Sequence, residues 1–280
     1  MEQNRNMKMA RESLQALRRD LAALERTGAP QAAAIFSFGL SDVDAALGGG
    51  LARGALHEVY AGSLRDVVSA TGFTAALAIR AAQDQRAQER PVVWVRQDFA
   101  ETEAGSLSPA GLAELGLDPS RIILVRARDA LGVLRASAEA LACTALGAVL
   151  IEPWGEPGVI DLVATRRLSL AAATSAVPAL MLRPAATPLP SAATTRWSVR
   201  ALPSQALAAD APGLPAFQLS LLRHRAGIAG RDWRVEWNRD AGCFSIRQRP
   251  IRDSQTLSRP LGALSVDRPA AAADAWRKSA

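Results

Sequence analysis

The turn after the first predicted buried strand is the part of the chain whose residues come nearest to a phosphate-binding site. The strand is residues 57–62, and in the turn that follows, Gly72, Phe73 and Thr74 occupy the places of G-K-T in the motif G-x-x-x-x-G-K-[ST]. The first glycine of that motif falls on Val67. The motif binds phosphate through a lysine ammonium and through backbone N–H groups that surround the phosphate. Since Phe73 and Val67 stand at the lysine and first glycine positions, the sequence predicts a degenerate nucleotide site.

Lysine content supports the same prediction. The chain has two lysines, Lys8 and Lys278, both in terminal segments outside the predicted sheet. Asp66 adds a negative charge to the turn itself. A standard phosphate loop therefore cannot be built, and we expect neither ATP turnover nor a bound cofactor.

Two acidic residues follow predicted strands, at the sheet edge where ligands usually bind. Asp98 comes after strand 91–97, and Glu152 ends strand 147–153 at the place of a magnesium-coordinating acid. Solvated loop carboxylates explain such acids as well. Without a lysine or a phosphate cradle, Glu152 is interpreted as a relic or a helix-capping acid.

Other catalytic classes find no support in the sequence. His57 has no acid and nucleophile at a recognisable spacing, so a hydrolytic triad is not predicted. Cys143 and Cys243 stand singly, without metal-ligand spacing, so we expect no metal site.

The elements that must position these residues alternate between strands and helices. Short aliphatic strands at 57–62, 91–97, 121–127 and 147–153 are separated by segments of helical composition. This alternation predicts an α/β fold with a mostly parallel sheet and helices on both faces. Two later segments, 217–227 and 232–248, are predicted to be strands, with a turn near Asp240 to Gly242.

The predicted organisation has three parts: an N-terminal amphipathic helix and linker (1–34), a core (35–248) and a flexible tail (249–280). The helix carries a leucine seam formed by Leu14, Leu17, Leu21 and Leu24. Packing on its own domain and docking to a partner both fit this seam. No run of 18 apolar residues occurs in the 280-residue chain, which predicts a cytoplasmic protein without membrane contact.

The positive charge is concentrated at one end. The net charge is +6, and residues 220–280 hold the entire excess of basic over acidic groups. The arginines with candidate roles in contacting DNA or a partner protein are Arg223, Arg225, Arg231, Arg234, Arg239, Arg247, Arg249 and Arg252. Interleaved Trp233 and Trp237 could stack bases of single-stranded DNA, or belong to a half-buried strand.

Several motifs in order resemble the RecA recombinase family. The run at 36–62 contains Gly-Gly-Gly-Leu-x-x-Gly ahead of the first strand, and the strand at 92–97 and the apolar strand ending in Glu152 follow in the family's order. The missing G-K-T, the segment 164–184 and the ending 231–244 are most similar to the ImuA branch of this family. The resemblance covers about residues 36–248.

The resemblance implies a non-catalytic accessory protein of SOS-induced translesion synthesis and mutagenesis. It implies as partners an ImuB-like Y-family protein and an error-prone replicative-type DNA polymerase, with RecA and single-stranded DNA as further candidates, and nucleoid association upon DNA damage. It places the former nucleotide site on Val67, Gly72, Phe73 and Thr74 and the catalytic acid on Asp98. Two alternatives stay open: a SulA-like division inhibitor acting on FtsZ, and a DNA-dependent ATPase with an atypical site.

Overall fold

A computed structural model gives the fold and describes residues 34–83 and 90–247. The strands are β1 (Ile35–Phe36), β2 (Leu51–Ala52), β3 (Leu56–Ala61), β4 (Val92–Gln97), β5 (Ile122–Ala127), β6 (Ala148–Glu152), β7 (Ala179–Arg183), β8 (Thr195–Leu202), β9 (Ala216–His224), β10 (Arg231–Asn238) and β11 (Cys243–Ile246). The helices are α1 (Ser41–Ala46), α2 (Val67–Ala82), α3 (Asp98–Ala104), α4 (Pro109–Leu115), α5 (Ala130–Leu141) and α6 (Leu162–Ser175). The predicted N-terminal helix and tail lie outside the described residues, so the domain boundaries stay predictions.

Within the described residues, one sheet has the order β11-β10-β9-β8-β3-β7-β6-β4-β5. The strands from β8 to β5 are parallel, and β9, β10 and β11 extend this sheet as antiparallel strands. Parallel strands need crossover connections, and the helices supply them. The predicted α/β class with a mostly parallel sheet is confirmed.

Alternate residues of the central strands enter two separate cores. On β6, Val149 and Ile151 pack in the core that includes residues of α5 and α6, whereas Ala148 and Leu150 face the core that includes α2. Helices therefore cover both faces, as predicted. Central strands buried on both sides explain the uninterrupted aliphatic runs in the sequence.

The glycine triplet, residues 48–50, lies just before the chain enters β2. It forms the turn between α1 and β2, and Gly50 adopts a φ of +142°. A Cβ at Gly50 would collide with the carbonyl oxygen of Phe36, so only glycine fits. Asp44 orders the preceding segment, because its carboxylate accepts hydrogen bonds from the Phe38 N–H (2.8 Å) and the Ser37 hydroxyl (2.6 Å).

Strand β3 places polar side chains inside the protein. The two ring nitrogens of His57 are 2.8 Å from Thr195 Oγ1 on β8 and 2.8 Å from the carbonyl oxygen of Ala52. Glu58, also buried, is 2.8 Å from the Nε of Arg196. These contacts hold β3 to β8 and β2, and they pair both ring nitrogens of His57 and one carboxylate oxygen of Glu58, groups that are costly to bury unpaired. Burial lowers the pKa of His57 to about 4.

This pKa predicts acid sensitivity. The folded protein holds His57 in its neutral form. The contribution of His57 to the free energy of unfolding is therefore complete above its ordinary pKa of 6.5, and about 3 kcal/mol of it is lost as the pH falls toward 4. Urea unfolding between pH 7 and pH 4 should show a smaller loss of stability for His57→Gln than for the wild type. His224→Gln, at a partly exposed site, should lose nearly as much stability between pH 7 and pH 4 as the wild type does. A loss in His57→Gln equal to that of the wild type would show that His57 is not the source of the acid sensitivity.

Candidate functional site

The connection between β3 and α2 occupies the place of a phosphate loop. It comprises residues 62–66, shorter than the predicted turn, because α2 already begins at Val67. Counting G-x-x-x-x-G-K-[ST] from Gly62, the first residue after β3, puts Val67 at the second glycine, Val68 at the lysine and Ser69 at the serine or threonine. Counted in this way, the motif lies five residues before the register predicted from the sequence, in which Gly72, Phe73 and Thr74 take the places of G-K-T.

Gly72, Phe73 and Thr74 lie inside α2 and not in the turn. Phe73 is 0% exposed, and its ring centroid lies 5.5 Å from that of Phe244 and 6.0 Å from that of Phe217. The Thr74 hydroxyl is also buried and donates to the carbonyl oxygen of Ala70 at 2.7 Å. These residues serve the core, and none of their polar groups faces a ligand.

Internal hydrogen bonds close the loop. Gly62 N–H donates to the Val199 carbonyl oxygen (2.8 Å), and Asp66 N–H donates to the Ser63 carbonyl oxygen (2.9 Å). The Asp66 carboxylate accepts from the Ser63 hydroxyl (2.7 Å) and from the Ala201 N–H (2.8 Å). A phosphate cradle needs free N–H groups and positive charge. This loop instead uses two of its N–H groups internally and holds a carboxylate.

Glu152 takes part in a buried ion pair. Its Oε2 accepts from Trp94 Nε1 at 2.8 Å and lies 3.1 Å from Arg96 Nε, and the residue is 1% exposed. Burial raises the pKa of the Glu152 carboxyl, and the guanidinium of Arg96 opposes that shift. Glu152 does not cap a helix: the side chain that caps α6 is Asp161. The helix-capping interpretation was wrong.

Arg96 ties this ion pair to the end of α3. It donates to the carbonyl oxygens of Gly105 (2.7 Å) and Ala100 (3.1 Å). The carboxylate of Glu152 is therefore part of a buried structural cluster at the ends of β4 and β6. In this arrangement it presents no oxygen at the surface for a magnesium ion.

Asp98 stands at the start of α3, directly after β4. Its carboxylate lies 3.1 Å from Arg126 Nε, and the same arginine is 2.8 Å from Glu101. Strands β7 and β6 separate β4 from β3, so the sheet spacing puts Asp98 roughly 14 Å to the side of the closed loop. The structure does not bring Asp98, Glu152 and the loop together into one site.

The predicted basic surface divides into paired and unpaired arginines. Arg247 lies 3.4 Å from Glu236, and Arg239 lies 3.7 Å from Asp240. Of the arginines predicted to contact DNA or a partner, those that are exposed and have no acid at ion-pair distance among the described residues are Arg223, Arg225, Arg231 and Arg234, on the β9–β10 hairpin. Arg249 and Arg252 lie outside the described residues.

The two tryptophans of β10 differ. Trp237 is buried and donates from Nε1 to the Leu115 carbonyl oxygen at 2.8 Å. Trp233 is half-buried and lines an open groove of about 620 Å³ together with Ile228, Arg231 and Asp42. Stacking chemistry is therefore available at Trp233 and not at Trp237.

Sequence reasoning missed the residues that close the loop. Val67, Ala70, Phe73 and Leu77 are apolar at helical spacing, and this periodicity would have placed the start of α2 at Val67. The bond from Ala201 N–H to Asp66 is formed across 135 residues and has no local signal. Among the described residues, no cluster of His, Cys, Asp and Glu could hold a metal ion. No helix there is long and apolar enough to cross a membrane.

Comparison with known proteins confirms the predicted resemblance. The chain is 35% identical over 140 residues to Protein ImuA from two strains of Caulobacter vibrioides; the match covers 49% of this chain and 52% of the relative. The chain thus spans about half the length of the curated relatives it matches. No protein-family model matches. A crystal structure of the RadB recombinase aligns with a TM-score of 0.49 at 17% identity, covering 76% of this chain and 100% of that one.

The register of the loop can be tested by placing a lysine at each of the two positions. Phe73→Lys should destabilise the protein by about 4 kcal/mol or more, because it buries an ammonium among aromatic rings. Val68→Lys, at a position 73% exposed, should change the stability by less than about 0.5 kcal/mol. Urea unfolding measures both. A Phe73→Lys protein that folds like the wild type and gains ATP binding would contradict this register.

Proposed function

We propose that this chain is a non-catalytic accessory protein of a damage-inducible, error-prone polymerase complex. The observation that carries the proposal is the closed loop after β3, where Val68 stands at the lysine position and Asp66 holds a negative charge. The 35% identity to Protein ImuA supports the same role. An α/β scaffold with a closed phosphate loop has surfaces for binding and no site for ATP turnover.

The proposed partners are an ImuB-like Y-family protein and an error-prone replicative-type polymerase, with RecA as a further candidate. In this proposal the leucine seam of residues 14–24, outside the described residues, docks one of them. The complex would act at the nucleoid after DNA damage. Division control through FtsZ is the competing function that the same experiment decides.

The test is recovery of a tagged full-length chain from DNA-damaged cells, followed by nuclease treatment and mass spectrometry. We expect both polymerase proteins to remain bound after nuclease, because protein contacts hold the complex. Leu17→Asp with Leu21→Asp should release at least one of them while the core still melts cooperatively. Recovery of FtsZ without a polymerase would refute the proposed function, and loss of folding in the double variant would assign the seam to the chain's own core.

A second candidate function is contact with single-stranded DNA at the β9–β10 hairpin. The observation that favours it is the groove at Trp233, where a half-buried aromatic ring lies with Arg231 and Asp42. Arg223 and Arg225 are exposed on the same hairpin. Arginines bind phosphates and an aromatic ring stacks a base, the two contacts that single-strand binders combine.

This candidate predicts a salt-dependent affinity for a fluorescent oligothymidylate, measured by anisotropy. Arg225→Glu with Arg231→Glu should weaken binding at least tenfold and reduce the log–log salt slope by about 0.7 for each phosphate that the variant no longer neutralises. Arg166→Glu with Arg167→Glu, exposed on α6, is the matched control with the same charge change. Equally weakened binding in both double variants would show a nonspecific charge effect and remove the hairpin as a site.

A further inference from the structure

The closed loop carries the two most exposed large apolar side chains among the described residues. Leu64 is 68% exposed and Val68 is 73% exposed. They lie four residues apart, in the loop and in the first turn of α2. Isolated exposed aliphatic side chains are ordinary, but a pair at the position of a lost ligand site indicates an interaction surface.

The loop presents this pair in a fixed conformation. Asp66 bonds to the Ser63 hydroxyl and to the Ala201 N–H of β8, and Gly62 N–H bonds to the Val199 carbonyl oxygen. A surface that is already ordered loses little conformational entropy when a partner binds. These bonds therefore favour docking to Leu64 and Val68 over a role as a mobile loop.

Two arginines belong to the same surface. Arg65 lies between the two apolar residues in sequence. The aliphatic part of the Arg200 side chain packs against Gly62, because a Cβ added to Gly62 would lie 2.6 Å from Arg200 Cγ. Both arginines are exposed, and among the described residues no carboxylate is within ion-pair distance of either. The carboxylate in the loop, Asp66, already accepts two hydrogen bonds. The surface is thus apolar at its centre, with two arginines and the carboxylate of Asp66 at its rim.

A protein segment fits this surface better than a nucleotide or a DNA strand. A phosphate would leave Leu64 and Val68 exposed, since phosphates bury no aliphatic surface. An apolar side chain flanked by carboxylates would cover both aliphatic groups and pair with both arginines. Charge and shape therefore point to an acidic segment with an apolar anchor.

We propose that Leu64, Val68, Arg65 and Arg200 form a docking surface for a protein segment that presents an apolar side chain between carboxylates. The surface stands where a phosphate loop would bind nucleotide. The proposal rests on the proposed function for the identity of the partner, because the polymerase proteins are the binding partners assigned there.

The test measures binding of the purified full-length chain to the purified Y-family-like protein and to the replicative-type polymerase, each alone, by biolayer interferometry. Leu64→Asp with Val68→Asp should weaken binding of one of them roughly tenfold or more. Arg65→Glu with Arg200→Glu should weaken the same complex and make its affinity less dependent on salt. Leu170→Asp on α6, at a side chain 59% exposed, is the matched control and should bind as the wild type does.

The outcomes separate this inference from the proposed function. A wild-type chain that binds neither polymerase protein overturns both. A wild-type chain that binds, with both double variants binding equally well and melting normally, overturns the docking surface and leaves the accessory role standing. If the double variants lose only binding to oligothymidylate, the surface binds DNA. If they lose only self-association, the surface binds a second copy of the chain. Either result also overturns the proposal.

Discussion

Phe73, on α2, is fully buried among four other aromatic rings. Its ring meets Phe38 ahead of α1, Trp197 on β8, Phe217 on β9 and Phe244 on β11. Aromatic packing of this kind is stabilising beyond the area it buries. The cluster joins the segment ahead of α1 and the strands β8, β9 and β11 to one point of α2. These contacts hold the rotation and axial position of that helix. The start of α2 at Val67 and the length of the preceding loop follow from this packing.

The short loop has chemical consequences. With α2 held in place, the five residues 62–66 must cross from β3 to the helix, and they do so by bonding to each other and to β8. The N–H groups of Gly62 and Asp66 and the Asp66 carboxylate are then used in structural hydrogen bonds. At the ends of β4 and β6, Glu152 is likewise used in a buried pair with Arg96. The carboxylates of Asp66 and Glu152 therefore both take part in structural contacts.

Local patterns were enough to predict much of the fold. The aliphatic runs that became β3, β4, β5 and β6 are bounded by turn residues, and their spacing required helical crossovers, so class and strand positions were predictable. The position of Gly72, Phe73 and Thr74 inside α2 was not predicted, because G-F-T resembles the motif by letter while the helical periodicity from Val67 to Leu77 runs through it. Glu152 pairs with Arg96 because strands β4 and β6 are neighbours in the sheet. The two residues are 56 positions apart in sequence, and no local pattern predicts that their strands are adjacent.

The most direct test of the closed loop is calorimetric titration of the full-length protein with Mg·ATP, accompanied by an assay of ATP turnover with and without single-stranded DNA. We expect no saturable heat at millimolar ATP and no turnover in either condition, because Val68 stands at the lysine position and Asp66 holds a negative charge in the loop. Saturable binding, or DNA-stimulated turnover that Glu152→Gln abolishes, would contradict it and establish a nucleotide site of a different kind.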